Sequence, residues 1–334
     1  MPVLSLAQRR IQLVEGVFQL HSNAPELIHA EEYFGAKDVQ SLLTNYYTVV
    51  DLPLEDTHPP SAEVFILDVR QMPLTIRSDA RMLWVAGDLT ALERDVYDRR
   101  YSVFGNMGLF FRYSLAVLQR EHGIVSMHAS SFYHPGKHEL LIIGGGTGAG
   151  KSVYLFEALK EGYEVFTAEM TFFKIDEGGI TFYKGALHDN VWTGSIAGEY
   201  AEIIREKLGV TALETRQNFL AKAVVDLTPV ATKDDVLRNP TTLMLLSRLE
   251  QDRQTCQVTP FKDKATAAAK VFETASEKLQ PGFILYEKTP APTVDDAALA
   301  AERFRLCRAF VEGRWMRDVR KVVAGPTTCM EAIR

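Results

Sequence analysis

One stretch decides the fold: Leu140-Leu141-Ile142-Ile143-Gly144-Gly145-Gly146-Thr147-Gly148-Ala149-Gly150-Lys151-Ser152. An apolar run stops at a glycine cluster that ends in Gly-Lys-Ser, and a helical pattern follows from Val153 to Lys160. Four of these residues fit the spacing G-x-x-x-x-G-K-[ST] of a phosphate-binding loop: Gly145, Gly150, Lys151 and Ser152. The stretch therefore predicts a buried strand, a loop that binds nucleotide phosphates, and a helix.

Each part of this loop has a physical task. Glycines allow positive φ angles and a close approach of backbone amides to phosphate oxygens, at a helix N-terminus where negative charge is favoured. We expect Lys151 to reach the β- and γ-phosphates of ATP and the Ser152 hydroxyl to ligate Mg²⁺, with Mn²⁺ as the alternative metal. The predicted nucleotide-binding residues are Gly145, Gly146, Thr147, Gly148, Ala149, Gly150, Lys151 and Ser152.

Composition and charge argue against nucleic-acid-binding and membrane proteins. The chain has 334 residues, an apolar fraction of 46% and a net charge of −6, which gives no general attraction for nucleic acid. Three widely spaced cysteines indicate a reducing compartment, and we find neither a signal-peptide pattern nor an apolar run of membrane-spanning length. We therefore expect a cytoplasmic protein with no nucleic-acid or membrane partner.

Patterning along the chain predicts an α/β protein in three segments. Residues 1–95 form a β-rich N-terminal module, with strands around Gly16, at 62–69 and at 81–85. Residues 96–240 form the core with the phosphate-binding loop. Residues 241–334 are predicted to be mostly helical, with helices over 241–251, 265–279 and 294–320.

The core segment has a distinctive order of elements. A strand at 123–132 and a tight turn at 134–138 lead into the strand that precedes the loop. After the loop helix, Gly162 precedes a strand over 164–169, and a second hairpin is predicted between 172–175 and 180–183. A β-hairpin that runs directly into the phosphate-binding loop is unusual among proteins that contain this loop.

This order, with His128-Ala129-Ser130 before the loop and an acid-tipped strand after it, resembles the catalytic domain of HPr kinase/phosphorylase, a fold shared with phosphoenolpyruvate carboxykinase. The resemblance covers roughly residues 105–230. It implies transfer of the γ-phosphate of ATP to a hydroxyl, either a serine of a peptide or protein or a small metabolite. HPr kinases assemble as hexamers, so the resemblance also implies a homo-oligomer.

The chain departs from this family at one acid. The family's Asp-Asp pair, aligned through Gly162, falls on Ala168-Glu169, and the first of these acids is the family's presumed base. The resemblance thus implies His128, Lys151 and Glu169 as catalytic residues, and Ser152 and Glu169 as metal ligands. The family's Arg-Gly-Leu-Gly stretch has no counterpart, which implies kinase activity without the reverse phosphorylase activity.

Two other functions remain open. Because Ala168 replaces an acid, the chain fits a nucleotide-gated binding or regulatory protein with little phosphotransfer. Carboxykinase-like chemistry is the weaker reading, since it needs a denser set of metal and carboxylate-binding residues than the sequence offers.

Several polar residues have both a structural and a functional interpretation. His128 lies between apolar residues and fits either a buried core histidine or a site residue, and Glu169 fits either a solvent-facing strand end or an acid of the site. Asp226 fits either an acid that holds Mg²⁺ through water or a turn residue before Thr228-Pro229. His188-Asp189-Asn190 fits either an acceptor-binding loop or a surface turn.

The basic residues also have both a structural and a functional interpretation. Four residues are unranked candidates for neutralising the charge of the transferred phosphate: Arg205, Arg216, Lys222 and Arg248. The basic residues between 303 and 321 are interleaved with acids and apolar residues, which favours a solvated helix face over a surface for an acidic partner.

Overall fold

A computed structural model of the protein describes residues 5–35, 43–146, 149–192, 194, 198, 200–208, 222–280 and 282–333. The chain divides into two compact units: Met1–Ile124 with Lys278–Ala300, and Val125–Glu277 with Ala301–Arg334. The three segments expected from the sequence stay a prediction about domains. The protein is a mixed α/β protein with two mixed sheets.

The first unit is built on a six-stranded sheet. Its strands are β1 (Ala7–Leu13), β2 (Gly16–Ser22), β3 (Val49–Asp51), β4 (Ala62–Asp68), β5 (Thr75–Ser78) and β6 (Met82–Gly87). They lie in the order β3-β1-β2-β4-β6-β5, in which β2, β4 and β6 run parallel and the other pairs antiparallel. This sheet confirms the predicted β-rich N-terminal part and the strands around Gly16, at 62–69 and at 81–85.

Helices complete the first unit. They are α1 (Pro25–Ile28), α2 (Glu31–Phe34), α3 (Leu89–Asp95) and α4 (Leu109–His122), and a small hairpin adds β17 (Phe283–Leu285) and β18 (Thr289–Ala291). Every residue of α4 from Leu109 to Gln119 is buried, so most of this helix lies in the core, and its exposed residue Glu121 lies in the last turn. Gly123 ends it in the left-handed conformation, at φ +68°.

The second unit contains a nine-stranded sheet. Its strands are β7 (Ile124–His134), β8 (Glu139–Gly144), β9 (Glu164–Thr167), β10 (Met170–Asp176), β11 (Gly179–Tyr183), β14 (Val236–Arg238), β15 (Thr241–Leu249), β16 (Gln257–Pro260) and β19 (Met316–Ala324). The order is β14-β11-β10-β7-β8-β15-β19-β16, and β9 also pairs with β7. A separate antiparallel pair is formed by β12 (His188–Trp192) and β13 (Lys222–Asp226).

The described helices beside this sheet are α5 (Lys151–Lys160), α6 (Ala201–Leu208), α7 (Lys264–Ser276) and α8 (Ala297–Glu312). Strand β8 lies between β7 and β15, and all four of its residues from Leu140 to Ile143 are inaccessible to solvent. Leu141 and Ile143 share a core with Leu155 of α5. Leu140 and Ile142 share the opposite core with Val271 of α7. The strand that leads into the loop is thus buried on both faces, as its continuous apolar run predicts.

The predicted arrangement around the loop is confirmed at the level of elements. Strands β7 and β8 form an antiparallel hairpin, and β8, α5 and β9 follow one another in the expected order. Strands β10 and β11 form the second predicted hairpin. The sequence pattern therefore located the elements that directly precede and follow the phosphate-binding loop along the chain.

The prediction of a helix over 241–251 is wrong, because Thr241–Leu249 is strand β15. This strand runs parallel to β8 on one side and to β19 on the other. A short, continuous apolar run fits a buried helix and a buried parallel strand equally well, and here pairing on both edges outweighs the helical propensity of leucine and methionine.

The single helix predicted over 294–320 is also wrong. Helix α8 ends at Glu312, and β19 begins at Met316 after Gly313. Within the described part of 241–334 there are two helices, α7 and α8, and five strands, β15 to β19. The C-terminal region is consequently mixed rather than mostly helical.

Candidate functional site

The glycine-rich loop connects the end of β8 to the start of α5. Gly145 has φ +134° and Gly150 has φ +82°, which are conformations that side chains other than glycine rarely adopt. Gly150 precedes the first residue of α5, Lys151, so Gly145, Gly146, Ala149, Gly150, Lys151 and Ser152 occupy the helix N-terminal turn and the approach to it. The predicted loop residues Thr147 and Gly148 lie outside the described residues.

Lys151 folds back over this loop. Its Nζ lies 2.8 Å from His128 Nε2, 3.2 Å from Glu169 Oε2 and 3.3 Å from the carbonyl oxygen of Gly145. Only 12% of its side chain is exposed. The ammonium group therefore lies where the loop, β7 and the β9–β10 turn meet.

His128 lies in β7, with its ring against Lys151. Its Nδ1 is 2.7 Å from Glu277 Oε1, and its Nε2 is 3.3 Å from Glu169 Oε2 as well as 2.8 Å from Lys151 Nζ. The residue is 7% exposed. Of the two interpretations of His128, the structure places it beside the loop lysine, with both ring nitrogens paired to charged groups.

Glu169 lies between β9 and β10 and is not a solvent-facing strand end, since its side chain is 15% exposed. Burial by itself raises the pKa of this carboxyl, but the charge of Lys151 and the hydrogen bond with His128 outweigh burial and lower the pKa to about 2. Glu169 is thus a carboxylate at neutral pH, held in an ion pair.

Ala168 is a buried residue whose backbone is hydrogen-bonded to neighbouring segments. Its N–H donates to the carbonyl of Ala186, and its own carbonyl accepts from the Ser130 hydroxyl. Its side chain is a methyl group, so this position supplies no base.

Asp189 is the residue that sequence reasoning misjudged most. It lies in β12 and not in a surface turn, it is 3% exposed, and its Oδ2 accepts a 2.9 Å hydrogen bond from the Ser152 hydroxyl. Burial and the nearby charge of Glu169 raise its pKa to about 6. Asp189 and the fully buried Val191 are two residues apart in β12 and therefore lie on the same face of the strand. This spacing is the sequence signal that could have indicated a buried acid.

The hydrogen bonds of Asp226 agree with the interpretation that it is a turn residue. Its Oδ1 accepts hydrogen bonds from the N–H and the hydroxyl of Thr228, at 2.9 and 2.6 Å. The residue is exposed at the end of β13 and stabilises the turn that follows.

The candidate cations differ in their positions. Arg248 lies near the carboxyl end of β15, the neighbour of β8, and its exposed side chain is 3.7 Å from Glu250. The next residue, Leu249, packs against the loop, because a Cβ added to Gly150 would lie 2.2 Å from Leu249 Cδ1. Arg205 is an exposed residue of α6. Arg216 and the side chain of Lys222 lie outside the described residues.

Two basic residues of α8 form the solvated face that the sequence predicts, whereas the other basic residues do not belong to that face. Arg305 and Arg308 of α8 pair with Glu302 and Glu312 of the same helix. Arg303 is fully buried and donates to the Ser276 hydroxyl. The basic residues beyond Glu312 that are described lie outside the helix, so the predicted continuous basic helix does not exist.

Metal ligands are few in this site. Within the described ranges, no group of three or more His, Cys, Asp or Glu side chains is suited to hold a metal ion. Ser152 and Asp189 nevertheless offer two adjacent oxygen donors, which suits Mg²⁺, a cation that retains waters and shares phosphate oxygens. Glu169 faces Lys151, and its metal role stays a prediction.

No protein-family model matches the chain, and no curated protein matches it either. Among the described helices, none is both long and apolar enough to span a membrane.

Proposed function

We propose that the protein is an ATP-dependent phosphotransferase of the HPr kinase/phosphoenolpyruvate carboxykinase type. One observation carries the proposal: Lys151 of the loop contacts His128 and Glu169, while the adjacent Ser152 contacts the buried Asp189. These residues come from four separate segments of the chain. A glycine-rich turn without a ligand has no need for two buried acids, a buried histidine and a lysine around it.

The loop residues suit a triphosphate. The positive φ angles at Gly145 and Gly150 support the cradle conformation, and α5 begins directly after it. Lys151 would exchange Glu169 and His128 for the β- and γ-phosphates, which are stronger acceptors of its protons. Ser152 and Asp189 would hold Mg²⁺, which bridges phosphate oxygens and neutralises charge in the transition state.

The acceptor in this proposal is a hydroxyl, either of a serine in a peptide or protein or of a small metabolite. Lys151 and the loop bind and orient the phosphates, and His128 and Glu169 border the position of the γ-phosphate beside Lys151. Positioning and charge neutralisation supply most of the catalysis in phosphoryl transfer. We further propose transfer in the kinase direction alone.

A specific observation favours a second candidate, a nucleotide-gated binding protein. Ala168 supplies no acid, and the Glu169 carboxylate, with its pKa lowered to about 2, is a weak base. In this second reading, nucleotide binding would reorder the Lys151 contacts without transferring phosphate.

The test is a screen of peptides and hydroxyl metabolites with γ-labelled Mg·ATP. We expect a labelled product that is lost in Lys151→Ala. Lys160→Ala is the matched control, because Lys160 lies at the other end of α5, where it pairs with Glu157 and lies over the Tyr200 ring. Transfer in wild type and in the control supports the kinase. Tight ATP binding without transfer favours the second candidate, and absence of binding contradicts both.

A further inference from the structure

A kinase site needs a group that accepts the proton of the acceptor hydroxyl, and this chain has an alanine where the resemblance predicts that group. Ala168 occupies the position of the expected base, and Glu169 is committed to Lys151. His128 is the remaining basic group whose nitrogen faces Lys151. The question is which of its two nitrogens carries the proton, because only a nitrogen with a free lone pair can accept another.

Two neighbours of His128 select the same tautomer. Glu277 Oε1 lies 2.7 Å from Nδ1, and an ionised carboxylate only accepts hydrogen bonds, so Nδ1 carries the proton. Lys151 Nζ lies 2.8 Å from Nε2, and an ammonium group only donates, so Nε2 is the acceptor. Glu169 is farther from Nε2, at 3.3 Å, and Lys151 already donates toward it.

Glu277 is well placed for this task. It directly follows α7, whose residues Ala268 and Val271 are fully buried in the core, so its backbone is fixed. Its carboxylate lies beside the loop, since a Cβ added to Gly146 would be 3.6 Å from Glu277 Oε1. Its side chain is 39% exposed, which leaves the carboxylate in contact with solvent.

We propose that Glu277 is a positioning residue that holds His128 as the Nδ1–H tautomer, and that His128 Nε2 accepts the proton of the acceptor hydroxyl. This inference rests on the proposed function. Among the residues that the structure describes, the charged groups that face His128 are Glu277 at the end of α7, Glu169 at the β9–β10 turn and Lys151 of α5. Asp189 of β12 acts on them through its charge interaction with Glu169 and Lys151.

In the proposed reaction, proton transfer to His128 accompanies phosphoryl transfer. Lys151 turns to the phosphates and uncovers the Nε2 lone pair. The acceptor oxygen forms a bond to the γ-phosphorus while its proton moves to Nε2, and the bond between the γ-phosphorus and the bridging oxygen breaks with its electron pair leaving on the nucleoside diphosphate. The imidazolium, between Glu277 and Glu169, then returns its proton to solvent.

The tautomer can be measured without knowing the acceptor. We would record ¹⁵N imidazole spectra of the full-length protein without nucleotide, at a pH where His128 is neutral, and assign His128 with His128→Gln. We expect the Nδ1–H tautomer in wild type and a shift toward the Nε2–H tautomer in Glu277→Ala. Glu273→Ala is the matched control, because Glu273 lies on α7 and pairs with the exposed Lys270. An Nε2–H tautomer in wild type overturns the inference.

Steady-state kinetics test the chemical role. With an acceptor from the labelled-ATP screen, we expect Glu277→Ala to lower kcat about 10- to 100-fold while KM for ATP changes less than about threefold. A general base contributes about 10²- to 10⁴-fold, and loss of the residue that positions it removes part of that contribution. Glu273→Ala should match wild type. An active wild type with unchanged kcat in Glu277→Ala overturns the inference and leaves the proposed function standing. A wild type without any transfer contradicts the proposed function and the proton-acceptor role together, and the tautomer then decides the positioning role alone.

Discussion

The Ser152 hydroxyl donates a 2.9 Å hydrogen bond to Asp189, a residue 37 positions away along the chain. Asp189 belongs to the β12–β13 pair and is 3% exposed, so a carboxyl group is held out of water directly beside the first turn of α5. A buried acid of this kind costs stability unless it has a cation to bind. This hydrogen bond is the basis for our proposal that Ser152 and Asp189 hold Mg²⁺.

Replacing Asp189 should impair function while replacing Asp226 should not. We expect Asp189→Asn to lower Mg²⁺-dependent turnover at least about 10-fold, because the neutral amide is a poorer ligand for a hard cation. Asp226→Asn is the matched control, since Asp226 is an exposed turn residue that bonds to Thr228. Turnover as a function of Mg²⁺ concentration measures the effect, and equal loss in both variants would contradict the assignment.

Asp189 should also make the stability of the folded protein depend on pH. The pKa of Asp189 is raised to about 6 in the folded protein, so the folded state binds the proton more tightly than the unfolded state does. Stability is therefore lost as pH rises from about 4 to about 6. Asp189→Asn removes this loss, and we expect the variant to be more stable than wild type at pH 7.5, by up to about 3 kcal/mol.

Urea unfolding at pH 4 and at pH 7.5 checks this stability prediction. The difference between Asp189→Asn and wild type should be near zero at the lower pH and largest at the higher pH. A variant that is less stable than wild type at pH 7.5 would show that Asp189 is a net stabilising ion.

The loop conformation makes a further prediction at Gly150. Its φ is +82°, and an added Cβ would lie 2.2 Å from Leu249 Cδ1. We expect Gly150→Ala to abolish nucleotide binding and to destabilise the fold by about 1 to 3 kcal/mol. Gly136→Ala is the control, because a Cβ there meets nothing closer than the His134 ring at 3.4 Å. Thermal unfolding and ATP binding of both variants provide the comparison.

Arg248 is the best placed of the candidate cations. It lies near the carboxyl end of β15, which runs parallel to β8 and so ends at the same side of the sheet as the loop, whereas Arg205 lies on α6. We expect Arg248→Ala to lower kcat about 10-fold or more, with the ATP affinity changed little, since a cation near the transferred phosphate acts mainly in the transition state. Arg205→Ala should match wild type. If the two variants are equally active, Arg248 has no such role.

The sequence predicted the parts of the site that local patterns specify. Glycine spacing and the apolar run before it predicted β8, the loop and α5, because these features depend on neighbouring residues. His128 and Glu169 entered through the resemblance to HPr kinases. Their contacts with Lys151 join residues 18 to 23 positions apart, from the middle of β7 and from the turn after β9, two strands that the pattern already predicted.

The remaining residues depend on long-range packing. Glu277 lies 149 positions from His128, and nothing in the sequence around it distinguishes it from other helical glutamates. The sequence alone does not reveal that Asp189 is buried, because a short polar strand resembles a turn when its partner strand is unknown. The strand β15 was misread because pairing with β8 and β19 decides its conformation, and no local pattern records that pairing.

Calorimetric titration of the full-length protein with Mg·ATP tests the central claim most directly. We predict one site per chain with micromolar affinity, weakened about 10- to 150-fold in Lys151→Ala, as expected from the loss of hydrogen bonds to a charged ligand. Lys160→Ala should retain wild-type affinity. Absence of binding by the wild type, or equal binding by wild type and Lys151→Ala, would contradict the account.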